Sequence, residues 1–230
     1  MASLGVGAKW GNDRIGAFCG FVSGVLFFAA FFVAQQQFTM TGEQILQSFS
    51  TYSPTALAGL VVFSLVLLFA VPFFLSVRDV LENRNRLLAN AAVAFLVLGF
   101  AVVAASLFAQ VAGLRTLADI YARETGARRD AAAVTAEAVL GLTNGLLILG
   151  LVALLTGVLL FGFLGRNSGR FPNWLAYVGM LSAILGYVGF GLPFSIVTLA
   201  AGFAFFFLLL VWIFASSAYL WRSGAMPASP

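Results

Sequence analysis

Long apolar stretches separated by short polar segments run through the whole chain. Six stretches are long enough for an α-helix to cross a hydrocarbon core about 30 Å thick, which needs about 20 residues. They cover residues 15–34, 56–77, 87–111, 140–164, 174–194 and 196–220. The pattern predicts an all-α polytopic membrane protein, in which residues 1–230 form one domain built as a bundle of six transmembrane helices.

The polar segment at 112–139 is the longest connection between two spans. Its composition favours helix, and Gly126 interrupts it. We therefore expect an outer helical loop in which both flanking spans continue beyond the membrane as helices, with a turn near Thr125 and Gly126.

The distribution of basic residues predicts the orientation in the membrane. One side of the predicted bundle carries eight of them: Lys9, Arg14, Arg78, Arg84, Arg86, Arg166, Arg170 and Arg222. The other side carries four, all in the 112–139 segment: Arg115, Arg123, Arg128 and Arg129. Because basic loops are retained in the cytoplasm, we expect an inner-membrane protein with both termini cytoplasmic. Trp10, Trp174 and Trp221 fall at span ends on the predicted cytoplasmic side, as interfacial aromatic residues do.

Composition removes several classes of site. Hydrophobic residues make up 62% of the 230 residues and charged residues 9%, against about a quarter charged in soluble domains. The chain has no histidine, and Cys19 is its one cysteine. This argues against zinc centres, iron–sulfur clusters, His-ligated haem and Ser-His-Asp triads. The cofactor stays unknown, since a quinone or pigment needs no histidine; no basic cluster is dense enough to predict nucleic-acid binding.

A polar rim is predicted where the spans leave the bilayer on the outer side. Glu137 lies 29 residues before Arg166, a helical distance of about 43 Å, which places it near the headgroups. Gln35, Gln110 and Asn144 reach a similar level from three helices by the same arithmetic. Together the four could form the binding rim of an outward-facing cavity. The alternative is that helices simply become polar where they leave the membrane.

Acidic and basic residues are missing from the middle of all six spans. Pumps and ion-coupled carriers place ionisable groups there. We therefore predict no catalytic residue, and the sequence favours a protein that is not an enzyme. An enzyme acting at the outer boundary would have to use Glu137 with Arg123, Arg128 and Arg129. Those arginines could contact lipid headgroup phosphates, or belong to a solvated helical extension with intrahelical ion pairs.

Small residues on the fifth span predict close helix packing. Gly179 precedes Ala183 by four positions, and Ser182 precedes Gly186 by four. This spacing lets helix backbones approach closely in lipid. The Phe-rich sixth span is expected to face lipid, another chain or a hydrophobic ligand. Pro72 and Pro193 occupy equivalent places in the two three-helix halves, as in a weak inverted repeat of a transporter.

Several segments together resemble a known family. They are the first span GAFCGFVSGVLFF, the polar segment EQILQSFS, the charged loop RDVLENRNR, the turn into FPNWLAYVGMLSAILG and the closing AYLWR. This order is similar to that of the bacterial six-helix membrane proteins grouped as the domain-of-unknown-function 4386 family, over about residues 14–222. The resemblance implies six spans and a bacterial source, and it carries over no catalytic residue.

Two functions remain in view from the sequence. The first is an accessory or structural helix-packing subunit of a membrane assembly, favoured by the apolar core and the small-residue faces. The alternative is a binder or carrier of a lipophilic or small neutral molecule, acting through the polar-rimmed outer cavity. Expected partners are membrane lipids, other membrane proteins or further copies of the chain, and not nucleic acid.

Overall fold

The structure, a computed structural model, describes residues 4–34, 42–82, 85–166, 168–169, 171–191 and 196–223. These residues form six α-helices: α1 (Leu4–Ala34), α2 (Gly42–Leu81), α3 (Arg86–Arg123), α4 (Ala127–Arg166), α5 (Asn173–Gly191) and α6 (Ile196–Ser223). All six are long and apolar enough to cross a membrane, and no strand occurs in the described ranges. The prediction of an all-α membrane bundle with six spanning helices is confirmed.

Helices α2, α3 and α4 are far longer than the predicted spans. They contain 40, 38 and 40 residues, about 57–60 Å at ~1.5 Å per residue, or twice the thickness of the hydrocarbon core. Because Arg86 opens α3 and Arg166 closes α4, the surplus length lies at the opposite end. We call that end, where α3 turns into α4, the hairpin end. The end that carries Arg86, Arg166 and the end of α6 is the terminal end.

Local polar groups set the bounds of α3 and α4. The Asn85 side chain accepts a hydrogen bond from the Leu88 amide at 3.1 Å, which caps the start of α3. Glu124 ends α3 in an extended conformation. Gly126 adopts φ +60°, a left-handed conformation that suits glycine, and α4 begins at the next residue.

The helices are arranged as a ring, with α1 packed against both α2 and α6, and α3 most extensively against α4. Glycines let α3 and α4 approach at backbone distance. A Cβ added at Gly150 would lie 2.9 Å from the Gly99 carbonyl oxygen and 2.7 Å from a methyl carbon of Val103. This is the small-residue packing that membrane helices use.

An aromatic core fills the bundle between α2, α4 and α6. Trp212 lies 6.0 Å from Phe73, 6.5 Å from Phe74 and 6.4 Å from Phe161, measured between ring centroids. The phenylalanines of α6 divide between two surroundings. Phe205 and Phe206 are buried, whereas Phe203 and Phe207 are exposed, so only part of this Phe-rich helix is available to face lipid, another chain or a hydrophobic ligand, as expected for it.

A second, smaller core lies at the hairpin end. It joins the first turns of α2 to α3 and α4 through seven buried residues: Ile45, Leu46, Phe49, Leu114, Tyr121, Ala132 and Ala136. We call this three-helix part the head: residues 42–53 of α2, 112–123 of α3 and 127–139 of α4. The contribution of α2 was not expected from the sequence, because residues 42–53 precede the predicted second span and were predicted to form a loop.

Two prolines lie inside α2, at positions 54 and 72. Proline lacks the amide proton that a helix uses, so Pro54 interrupts the hydrogen-bond ladder where α2 passes from the head into the membrane. Pro193, the proposed counterpart of Pro72 in an inverted repeat, lies outside the described residues.

Candidate functional site

The middle of the bundle contains hydroxyl groups that bond to nearby backbone. Ser182 donates to the Gly179 carbonyl at 2.8 Å, and Ser217 to the Ile213 carbonyl at 2.7 Å. Thr156 donates to the Val152 carbonyl and lies 2.7 Å from the Tyr187 hydroxyl, which links α4 to α5. Such contacts serve helix packing. The charged side chains of the described residues, in contrast, lie towards the ends of the helices.

Two buried polar atoms in the bundle have no hydrogen-bond partner among the described residues: the Trp212 indole nitrogen and the Ser216 hydroxyl. They sit one turn apart on α6. The indole nitrogen faces Gly179, since a Cβ added there would approach it to 2.8 Å.

The fifth-span residues predicted to pack helices are all buried within this chain. Gly179 lies against Trp212, and Gly186 lies against Leu155 and Phe205. Ser182 and Ala183 are fully buried. Their packing faces are thus directed at α4 and α6.

The four rim residues do not form a shared site in the described structure. Gln35 lies outside the described residues. Gln110 is half-buried, whereas Glu137 and Asn144 are exposed, and none of the three hydrogen-bonds to another described residue. Glu137 instead lies beside the start of α2, where a Cβ added at Gly42 would come within 2.7 Å of its Cγ.

The three predicted headgroup arginines have separate surroundings. Arg128 pairs with Glu124 at 3.1 Å, within the turn at the tip of the head. Arg123 is exposed and makes no ion pair with a described residue. Arg129 is exposed but lies over Tyr121: it donates a 2.8 Å hydrogen bond to the Tyr121 hydroxyl, with its guanidinium 4.3 Å from that ring.

Tyr121 is the centre of a polar network that joins all three helices of the head. Its buried ring places the hydroxyl to donate to the Glu43 carboxylate at 2.7 Å while it accepts from Arg129. Gln47 donates to Glu43 at 3.1 Å and to the Tyr121 hydroxyl at 3.3 Å. The hydrogen bond with Tyr121 raises the pKa of Arg129 above its ordinary value. An arginine guanidinium is charged at every working pH, and this contact favours the charged form further.

A groove of about 700 Å³ lies beside this network, between α2 and α3. We call it the head groove. Apolar side chains form one part of its wall: Leu46, Phe49, Pro54, Leu57, Ala118 and Ala122. Polar side chains form the rest: Gln47, Arg115, Asp119, Tyr121 and Arg129. A concave site with mostly apolar walls and a few convergent polar groups is the usual form of a small-molecule site.

The groove has a direction. Leu57 marks its membrane end, since it is the lining residue of α2 that lies furthest from the start of that helix, within the apolar part of α2. Arg115 and Asp119 follow on α3 towards the tip of the head, one turn apart. They form no ion pair with each other, and neither is bonded to another described residue.

Most of this site escapes prediction from the sequence. Arg129 was singled out, but Glu43, Gln47 and Tyr121 were not. The usable signal was the stretch EQILQSF, where Ile45, Leu46 and Phe49 repeat at helical spacing.

A second, mainly apolar groove of about 400 Å³ lies at the terminal end between α1 and α6. Phe18, Phe21, Ala218, Trp221 and Arg222 line this terminal groove. Arg14 lies over the Trp221 ring, 5.9 Å from its centroid. Arginine and tryptophan are typical of a bilayer interface. No cluster of three metal-ligating side chains occurs among the residues that the structure describes.

Comparison with known proteins decides the family. The family model described as Domain of unknown function (DUF4386) matches residues 18–221. The chain belongs to the DUF4386 family. The match starts within α1 and ends within α6, so this DUF4386 chain carries the family domain across all six helices. No curated protein and no solved structure gives a significant match to it.

Proposed function

We propose that this DUF4386 protein binds an amphiphilic molecule in the head groove. The observation that carries the proposal is the groove itself, whose apolar wall begins at the membrane-facing Leu57 and whose polar wall ends at Arg129. The membrane end of the groove is apolar, at Leu57 and Pro54, and its head end combines polar side chains with apolar ones such as Leu46 and Ala122. An amphiphilic molecule would find partners for its tail at the first end and for its polar head at the second. The proposal keeps the lipophilic-binder hypothesis but places the site on other residues than the predicted rim.

The location of the groove supports entry from the lipid phase. Arg115 lies 29 residues after Arg86 along α3, about 43 Å at ~1.5 Å per residue, which is the depth of the headgroups. An acyl chain beside Leu57 would remain at the edge of the hydrocarbon while its head occupied the polar part. Binding needs no intramembrane charge, in keeping with a bundle whose interior holds hydroxyls and aromatic rings.

The basic residues support an orientation with the head outside the cytoplasm. Eight of the twelve belong to the terminal side, and such residues are retained in the cytoplasm. The ligand would then come from the outer leaflet of the inner membrane.

Native mass spectrometry of the gently solubilised protein, with identification of co-purifying lipids, tests the proposal. We expect retained amphiphiles in the wild type and their loss in Ala122→Trp, because the indole would fill the groove. Ala131→Trp is the matched control, since Ala131 is exposed on the same head but does not line the groove. Equal retention in all three proteins would refute the proposal.

An accessory role in a membrane assembly is the competing function, and the same spectra distinguish the two. A stoichiometric partner chain that is retained while amphiphiles are absent would support the accessory role.

A further inference from the structure

We infer that the head groove selects a zwitterionic phospholipid, one whose head carries a phosphate and, further from the acyl chains, an ammonium group. The inference rests on the proposed function and specifies its ligand. It is carried by the order of three side chains along the groove: the apolar Leu57 comes first, then the positive Arg115, then the negative Asp119.

That order matches the covalent order of such a lipid. The acyl chains attach to glycerol, glycerol to the phosphate, and the phosphate through two carbons to the ammonium. A lipid lying with its chains at Leu57 would bring its phosphate to the Arg115 guanidinium and its ammonium to the Asp119 carboxylate. Guanidinium binds phosphate by paired hydrogen bonds, and carboxylate accepts hydrogen bonds from ammonium.

The spacing of the two groups fits as well. Residues four apart on a helix have Cβ atoms about 5–6 Å apart and share one face. Arg115 and Asp119 are therefore close enough to contact adjacent groups of one head. They are also available, because both are exposed, both line the groove and neither bonds to another described residue.

Arg129 does not alter this preference for a mixed head. Its guanidinium is already held by the Tyr121 hydroxyl and ring, and the Glu43 carboxylate also bonds to that hydroxyl. Arg129 forms no ion pair with a described residue, but its guanidinium already donates to the Tyr121 hydroxyl. Arg115 and Asp119 are therefore the charged groups of the groove that bond to no described residue.

The test is competition between three lipids with identical acyl chains, measured by native mass spectrometry on the full chain. The lipids are phosphatidylethanolamine, phosphatidylglycerol and diacylglycerol. We expect the wild type to retain phosphatidylethanolamine about 1.4- to fivefold better than phosphatidylglycerol, the range for one exposed ion pair. Asp119→Asn should remove that preference. Arg115→Gln should bring both phospholipids close to diacylglycerol.

The decisive variant exchanges the two charges, Arg115→Asp together with Asp119→Arg. It keeps the net charge of the groove but reverses the order, so the preference for phosphatidylethanolamine should disappear. The matched control exchanges the ion pair at the tip, Glu124→Arg with Arg128→Glu, which does not line the groove. That control should keep the wild-type preference.

Each outcome is informative. Comparing variants with the wild type cancels any anionic lipid held at the terminal groove, where Arg222 stays unchanged. Equal retention of the two phospholipids by the wild type, or a preference that survives the charge exchange, would overturn the inference while lipid binding itself stood. Failure to retain a phospholipid while another amphiphile co-purifies would likewise overturn the inference alone, whereas failure to retain any amphiphile would overturn the proposed function as well.

Discussion

Tyr121 connects the three helices of the head through one hydroxyl group. It donates to Glu43 on α2 and accepts from Arg129 on α4, while its own ring belongs to the small core at the hairpin end. A neutral hydroxyl between a carboxylate and a guanidinium satisfies both groups without bringing a charge into that core. The head therefore depends on a residue that offers a donor, an acceptor and an apolar ring together.

Removing only that hydroxyl should loosen α2 from the head. Tyr121→Phe keeps the ring but deprives Glu43 and Arg129 of their shared partner, at an expected cost of about 1 kcal/mol. Hydrogen exchange in residues 42–49 should quicken, while exchange in the spanning part of α4 stays unchanged. Hydrogen-exchange mass spectrometry of the protein in detergent measures both regions at once.

Tyr177→Phe is the control for this change. Tyr177 is half-exposed at the terminal end, and its hydroxyl bonds to no other described residue. If the two variants exchanged alike in residues 42–49, the network would not be what holds α2 to the head.

At the scale of the elements, the seam between α3 and α4 is set by glycines. Gly150 and Gly141 occur on the same helix in contrasting positions. Gly150 is buried, and an added Cβ would collide with Val103 and with the carbonyl of Gly99, whereas Gly141 has nothing within 4 Å. The two positions separate the packing role of glycine from its effect on helix stability.

Alanine at these positions should act in opposite directions. Gly150→Ala should destabilise the protein by about 1–3 kcal/mol, because the added methyl group forces two backbones apart. Gly141→Ala should be neutral or stabilise by up to about 1 kcal/mol, because alanine favours helix and space is available. Thermal unfolding in detergent gives the comparison, and a fall of the melting temperature in both variants would contradict a seam limited by backbone contact.

The same elements show how far the sequence can be interpreted. Six spans follow from residue hydropathy, because each helix that crosses the bilayer must be an apolar stretch of a minimum length, and both properties are visible in the sequence. The head does not follow in the same way, since its core unites residues of EQILQSF in α2 with residues far along the chain: Leu46, for example, lies 75 positions before Tyr121. Periodicity marks each segment as amphipathic but does not state which segments meet. The rim residues were predicted from their depth in the membrane alone, and depth does not determine the direction in which a side chain points.

For the whole molecule, the unequal ends of the bundle raise the question of orientation. The hairpin end carries a folded head with its own core, and the terminal end carries short connections and most of the arginines. Short basic connections are retained in the cytoplasm. Both termini are therefore predicted there, with the head on the opposite side, where the head groove would open to the outer leaflet.

Single cysteines measured with a membrane-impermeant maleimide test this orientation. Cys19 is the one cysteine of the sequence and is buried in the bundle, so Cys19→Ala gives a background without thiols. Thr125→Cys at the tip of the head should react in intact cells, because both the turn and its side chain are exposed. Asn173→Cys, exposed at the start of α5, should react only after the membrane is permeabilised. The reverse pattern would place the head in the cytoplasm, and the lipid of the head groove would then have to come from the inner leaflet.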